Sequence, residues 1–225
     1  MAISSVADAL RSRRSVRAFL DRPVSVDQIR DLLEIAARAP SGGNLQPWHI
    51  DVVAGGRLDA LKVLMRQRVS EAPRGETMQY HVYPQALAPP YEDRRREIGE
   101  LMYAEIGIDR SDREGRRAWF ARNFQFFDAP IAFFCQVDRQ MGPPQWSDLG
   151  MFLQSFMLLA EEAGLATCAQ ECWARYPETI AGFLGTPDYR MLFCGMALGY
   201  ADEAHPANRL RSPRVPFSTF GKVHD

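Results

Sequence analysis

Arg11-Ser12-Arg13-Arg14-Ser15-Val16-Arg17 sets four guanidiniums and two hydroxyls within seven residues of a chain whose net charge is -1. A guanidinium stays charged at any working pH, and its planar fork of donors matches a pair of phosphate oxygens. In an extended conformation Arg13, Ser15 and Arg17 project to one side and Arg14 to the other. Three donors on one side can line a single elongated anion. Taken alone, the same residues also suit a solvated basic turn that follows a helix.

That helix is expected over Ser4 to Arg11, where Val6 and Leu10 lie one turn apart. After it, Ser25-Val26-Asp27-Gln28 carries a capping-box pattern, and Ile29, Leu32, Leu33 and Ala36 recur at helical spacing up to Pro40. His49 to Ala54 is β-branched and alternating, which predicts a strand, with Gly55-Gly56 as the turn out of it. Leu58 to Val69 is helical in pattern. Glu71 to Tyr91 is rich in Pro and Tyr and without period, the composition of a lid or binding segment. Helices are expected over Asp93 to Ile106 and Asp112 to Phe127, then a buried strand over Ile131 to Val137. A long helix begins at Ser147 and is stopped by Gly164. Another runs from Pro177 to Gly185, and a last strand spans Met191 to Leu198. The tail from Asp202 has no period and is expected to lie over a surface. Strands separated by helical pairs point to a mixed layered α/β arrangement.

Composition narrows the function. Basic and acidic residues nearly cancel, 27 against 28, so the arginine cluster suits one local anion better than a polyanion. No apolar run approaches the ~20 residues that cross a bilayer, and the N-terminus lacks the layout of a signal peptide, so no membrane association and a cytoplasmic location are expected. Cys135, Cys168, Cys172 and Cys194 form no CxxC pair and have no histidine at ligand spacing, so no metal is expected. No GxGxxG follows a strand and no GxxxxGK[ST] occurs, which argues against a Rossmann domain or a P-loop.

Pro40-Ser41-Gly42-Gly43-Asn44-Leu45-Gln46-Pro47-Trp48 is the second informative stretch. Its glycines let backbone approach a flat ligand, and Asn44 and Gln46 each offer a donor and an acceptor to the edge of a pyrimidine-like ring. A helix stop before a strand explains the proline and glycines but not the crowded amides. In this order and spacing the two stretches resemble the FMN-dependent nitroreductase family. Asp128-Ala129-Pro130, Ser147-Asp148-Leu149-Gly150, Cys168-Ala169-Gln170-Glu171-Cys172-Trp173, Gly195 to Tyr200 and Arg211 to Pro216 extend the resemblance over most of the chain.

The resemblance implies an α+β fold of three layers, with a central mixed sheet flanked by helices. It implies one domain over 1–225, with a helical lid at about 58–128, a C-terminal arm at 202–225, and an intertwined homodimer holding FMN at its interface. Carried over, Arg13, Arg14, Ser15 and Arg17 bind one flavin, with Arg17 near its N1–O2 edge. Pro40, Ser41, Gly42, Asn44 and Gln46 line the same flavin, some of them from the partner chain. Ala169, Gln170 and Glu171 pass beside the ring so that a backbone N–H meets N5, and Arg214, with Arg211 assisting, closes on the phosphate. Which of Arg122, Asn123 or Gln125 contacts the flavin is left open. The implied activity is reduction of nitroaromatics, including nitrobenzoates, by NADH or NADPH in ping-pong fashion, with no side-chain nucleophile. Quinone or enone reduction, reductive dehalogenation or oxidative flavin breakdown on the same scaffold are alternatives. A nucleic-acid regulator using Arg11 to Arg17, or a dimer that has lost its flavin, are the remaining ones.

Overall fold

A computed structural model describes residues 5–224. Its chain order is α1 (Val6–Ser12), α2 (Val26–Ala36), β1 (His49–Ala54), α3 (Gly55–Glu71), α4 (Tyr91–Glu105), α5 (Arg113–Ala121), β2 (Ile131–Asp138), α6 (Pro143–Glu162), β3 (Ala166–Gln170), α7 (Pro177–Leu184), β4 (Arg190–Gly199) and the single turn α8 (Phe217–Phe220). The strands lie in the order β1-β2-β4-β3, and every pair is antiparallel. The fold is α+β. The sheet expected to be mixed has only one parallel contribution among the described residues, an isolated bridge between Ser15 and Thr167.

Side-chain alternation along β2 builds two cores. Ile131, Phe133, Cys135 and Val137 pack toward α2 and α6, whereas Ala132 and Phe134 face Trp173 and the aromatic residues that follow α5. Helices therefore cover both faces, giving the three layers. β2 is buried from Ile131 to Val137, as an uninterrupted apolar run in a central strand requires.

Several boundaries differ from expectation for local reasons. Ser4 lies outside the described residues; Ser5 caps α1 by accepting from the Asp8 N–H. Gly55-Gly56 is not a separate turn: Gly55, at φ +53°, swings the chain directly from β1 into α3. α6 starts at Pro143 rather than Ser147, because a proline at the first helical position gives up only an N–H that would be unpaired anyway. β3 has no strong apolar alternation and was not expected as a strand; its pairing to β4 makes it one.

The helix expected to reach Phe127 ends at Ala121. A tighter turn follows, in which Phe126, Phe127 and Asp128 all take positive φ, between 52° and 67°. Left-handed backbone costs about 1–2 kcal/mol per residue, while burying a phenylalanine side chain gains about 1.5–3 kcal/mol. With Phe126 and Phe127 both fully buried, burial offsets a strain of similar size.

The aperiodic segment after α3 is pinned to the body at its start. Glu76 accepts from the N–H groups of Glu178 and Thr179 at the start of α7, from the Thr179 hydroxyl, and from Arg68 Nε at 3.0 Å. Burial pushes the Glu76 carboxyl up, but these donors together outweigh it and hold the pKa below the ordinary value. A depressed carboxylate pKa contributes stability above the unfolded-state value and loses it as pH falls through the folded-state value. Glu76→Gln should therefore destabilise by about 1–3 kcal/mol at neutral pH. The gap between variant and wild type should close in urea melts below the normal carboxylate range. A gap constant down to strongly acid pH would remove the carboxylate from this role.

Candidate active site

Residues 13–20 run beside the outer edge of β3 and the end of β4. The Val16 N–H donates to Thr167 O at 3.0 Å and the Leu20 N–H to Tyr200 O at 2.9 Å. Asn208, buried in the C-terminal part of the chain, clips this segment in place: its Oδ1 accepts from the Arg17 N–H at 2.7 Å, and its Nδ2 donates to Ala18 O and Asp202 O. An isolated asparagine in a Pro-rich tail carries no signal of that role, and sequence reasoning missed it.

Extension separates the arginines as alternation requires. Arg17 lines a cavity of about 720 Å³ with Asn123, Ala169, Gln170 and Glu171. Arg14 and Val16 line a different groove of about 770 Å³, where Arg14 pairs with Glu203. Arg14, expected beside Arg17 on one ligand, thus sits on the other side of its strand, with its Nε buried and unpaired. Arg13 lines neither of these two spaces; its guanidinium and that of Arg17 both act to lower the pKa of the Cys168 thiol, against a larger upward push from burial.

The cavity floor comes from the end of β3 and the turn Glu171–Arg175. The Gln170 side chain is consumed internally. Its Nε2 donates to Asn123 O and Oδ1 at 2.9 and 3.2 Å, and its Oε1 accepts from Trp173 Nε1 at 3.3 Å. Only the Gln170 backbone is left for a ligand. Glu171 is accessible to water but sits among concave walls that displace solvent, and this desolvation raises its pKa.

Of the three candidates after α5, Asn123 alone lines the cavity. Arg122 pairs with Asp128 at 2.9 Å, and Gln125 bonds Lys62 O and Arg66. The roof comes from Tyr83 of the aperiodic segment and from Arg95, Ile98, Gly99 and Met102 on one face of α4.

Two expected groups do not reach this cavity within a single chain. Pro40 to Gln46 forms a separate exposed loop, with Gly43, Asn44 and Gln46 at positive φ. Buried Asp148 of α6 anchors it by accepting from the Gly42 N–H at 3.2 Å, and Ser41 Oγ accepts from the Gln46 N–H at 3.0 Å. The Asn44 and Gln46 side chains are left at the surface. At the other end, Arg211 donates to Ser12 O at 2.7 Å, so the C-terminal arm does return to the residue preceding Arg13. Arg214 is exposed and bonds the carbonyls of Ser212 and Pro213 instead. No group of three or more His, Cys, Asp or Glu able to hold a metal ion occurs among the described residues, and no described helix is long and apolar enough to cross a membrane.

Residues 10–200 match the Nitroreductase family. The chain is 40% identical over 203 residues to the 4-nitrobenzoate reductase of Pseudomonas putida, covering 90% of this chain and 88% of that one. It is 35% identical over 223 residues to the nitrobenzene nitroreductase of Ectopseudomonas oleovorans, covering 98% and 97%. The crystal structure of the FMN- and NADPH-dependent nitroreductase NfnB from Sphigopyxis sp. strain HMH superposes with a TM-score of 0.96 at 47% identity, over 99% of this chain and all of that one.

Proposed function

This chain belongs to the nitroreductase family, and from that premise we propose that it is an FMN-dependent oxidoreductase that reduces nitroaromatic compounds with NADH or NADPH. The observation that carries the reading is the convergence of Arg17, Asn123 and residues 169–171 on one cavity roofed by Tyr83 and α4. Its volume of about 720 Å³ falls within the range of cofactor and ligand sites. The donor set fits a flavin. Arg17 offers positive charge to an electron-rich ring edge, and the backbone of Ala169 to Glu171 an N–H beside the ring; Asn123 lines the wall, its amide donating to Phe120 O at 2.9 Å and accepting from Gln170. By alternation Arg13 and Ser15 share the Arg17 side of their extended segment, which supports assigning them to the same ligand.

FMN, when bound, supplies two-electron redox chemistry between a reduced nicotinamide and a nitro group. The protein's part is to hold the ring, set its electrostatics and limit access. One lid-covered cavity serves nicotinamide and nitro compound in turn, which supports alternation of the two. No side chain is needed as a nucleophile, and Arg17 acts as an electrostatic tuner.

The same reading includes a homodimer. Pro40, Ser41, Gly42, Asn44 and Gln46 lie outside the cavity of their own chain, so they complete a site only by reaching a second copy. Exposed apolar residues that a partner could cover support this: Leu45 in that loop, and Val215, Phe217 and Phe220 along the arm. On such an interface Arg214 would meet the phosphate, with Arg211 holding the arm to Ser12. A cytoplasmic location belongs to the same reading, since reduced nicotinamides are regenerated there.

The purified protein, reconstituted with FMN, should be yellow, run as a dimer in light scattering, and bleach anaerobically with NADH or NADPH. 4-Nitrobenzoate should then restore the colour faster than a quinone or a halophenol. A protein that retains no FMN, or one whose colour the nitro compound restores last, would overturn the proposal.

A further inference from the structure

We propose that Arg95 selects anionic nitroarenes by receiving their carboxylate, making an acid such as 4-nitrobenzoate a better substrate than its neutral analogues. The proposal rests on the functional reading above and deepens it. Three consecutive arginines, Arg94, Arg95 and Arg96, stand near the start of α4, and their neighbours divide them. Arg96 pairs with Asp93, and Arg94 lies 5.8 Å from the Tyr91 ring. Arg95 alone shares the cavity-facing stripe with Ile98, Gly99 and Met102. Its guanidinium stands 4.7 Å from the centre of the Tyr83 ring, which leaves its N–H donors without a carboxylate among the described residues.

The other cations of the cavity have other duties. Arg17 is on the floor beside residues 169–171. Arg175 donates to Pro73 O at 2.8 Å and packs 5.4 Å from the Phe120 ring. Three arginines face this space against one acid, Glu171, which makes no ion pair with any of them. Desolvation raises the Glu171 pKa. The roof thus offers an apolar ceiling, Ile98 and Met102, that ends in a charged fork. A flat ring carrying one carboxylate matches that arrangement. The Tyr83 ring lies against the fork, and burial and Glu171 raise the pKa of its hydroxyl while Arg95 lowers it.

A nicotinamide cofactor also carries oxyanions, and the test separates the two sources. In ping-pong kinetics kcat/KM for each substrate is measured independently. Arg95→Met should lower kcat/KM for 4-nitrobenzoate about tenfold or more, the size of a lost charge-assisted hydrogen bond, while changing it less than threefold for 4-nitrobenzamide. Arg95→Lys should recover part of the loss. Calorimetric titration of the FMN-loaded protein with benzoate, which cannot be reduced, should show the same weakening. Equal losses for acid and amide would overturn the proposal in favour of a packing role for Arg95 under Tyr83. A loss confined to kcat/KM for NADH or NADPH would assign Arg95 to the nicotinamide's phosphates. Wild-type protein with no preference for the acid, or with no benzoate binding, would also overturn it. Failure of the underlying functional reading looks different: neither nitro compound reoxidises the reduced wild type, and the benzoate titration still decides the role of Arg95.

Discussion

Trp173→Ala is expected to lower the free energy of unfolding by about 3–5 kcal/mol, the usual cost of emptying a fully buried tryptophan site. Trp173 is completely buried. It stacks on Phe126 with centroids 4.5 Å apart and meets Phe124 and Phe134 edge-on at 5.3 and 5.1 Å. β4 leaves room for it at Gly195, where an added Cβ would stand 2.4 Å from Trp173 Cδ1. Collapse around the deletion is restricted, because the surrounding rings hang from the left-handed turn at Phe126 and Phe127 and from two sheet strands. The damage should reach the cavity, since Gln170 Oε1 loses its donor and Gln170 in turn holds Asn123. Trp173→Phe should keep most of the packing but forfeit that bond, costing about 1–2 kcal/mol beyond the ring's lost volume. Urea titration of both variants measures this. A loss below 1 kcal/mol for the alanine variant would mean that the aromatic cluster is not the keystone of this core.

Arg17→Met should weaken FMN binding by about tenfold to a hundredfold and leave the melting temperature of the FMN-free protein within about 2 °C of wild type. The two effects separate because the segment's anchor to Asn208 uses the Arg17 backbone N–H, which the substitution keeps, whereas among the described residues the side chain bonds only Ser15 O at 3.3 Å. Met preserves the apolar stem and removes the charge. Lysine should recover part of the affinity. Flavin fluorescence quenching against added protein gives the dissociation constants, and scanning calorimetry gives the melting temperatures. If affinity and melting temperature fell together in the Met variant, Arg17 would be a structural arginine and the flavin reading would lose its best-placed charge.

Much of the fold was legible along the chain. Ser25 caps α2 from the position its pattern gave, β1 keeps the bounds His49 to Ala54, and Gly164 and Gly185 end their helices in the left-handed conformation. Each of these depends on a few neighbouring residues, so periodicity and turn chemistry carry them. The errors fell where distant contacts override local preference. Phe126 and Phe127 leave the helix because a core drawn from Val16 through Trp173 to Ala207 accepts their rings. β3 exists because β4 pairs with it.

The candidate site divides in the same way. Residue identity marked the arginine stretch, and alternation in an extended segment put Arg14 opposite Arg17 where the family resemblance had put them on one ligand, because side-chain direction there is a local property; residues 169–171 came from the resemblance alone. Tertiary structure alone chose Asn123 over Arg122 and Gln125, turned the Gln170 amide inward, made Asn208 the clip between the two ends of the chain, and gave Arg95 rather than Arg94 or Arg96 to the cavity. Those outcomes depend on which hydrogen-bond partners and walls the folded chain brings within reach across tens to nearly two hundred residues, and no short window of sequence contains that information.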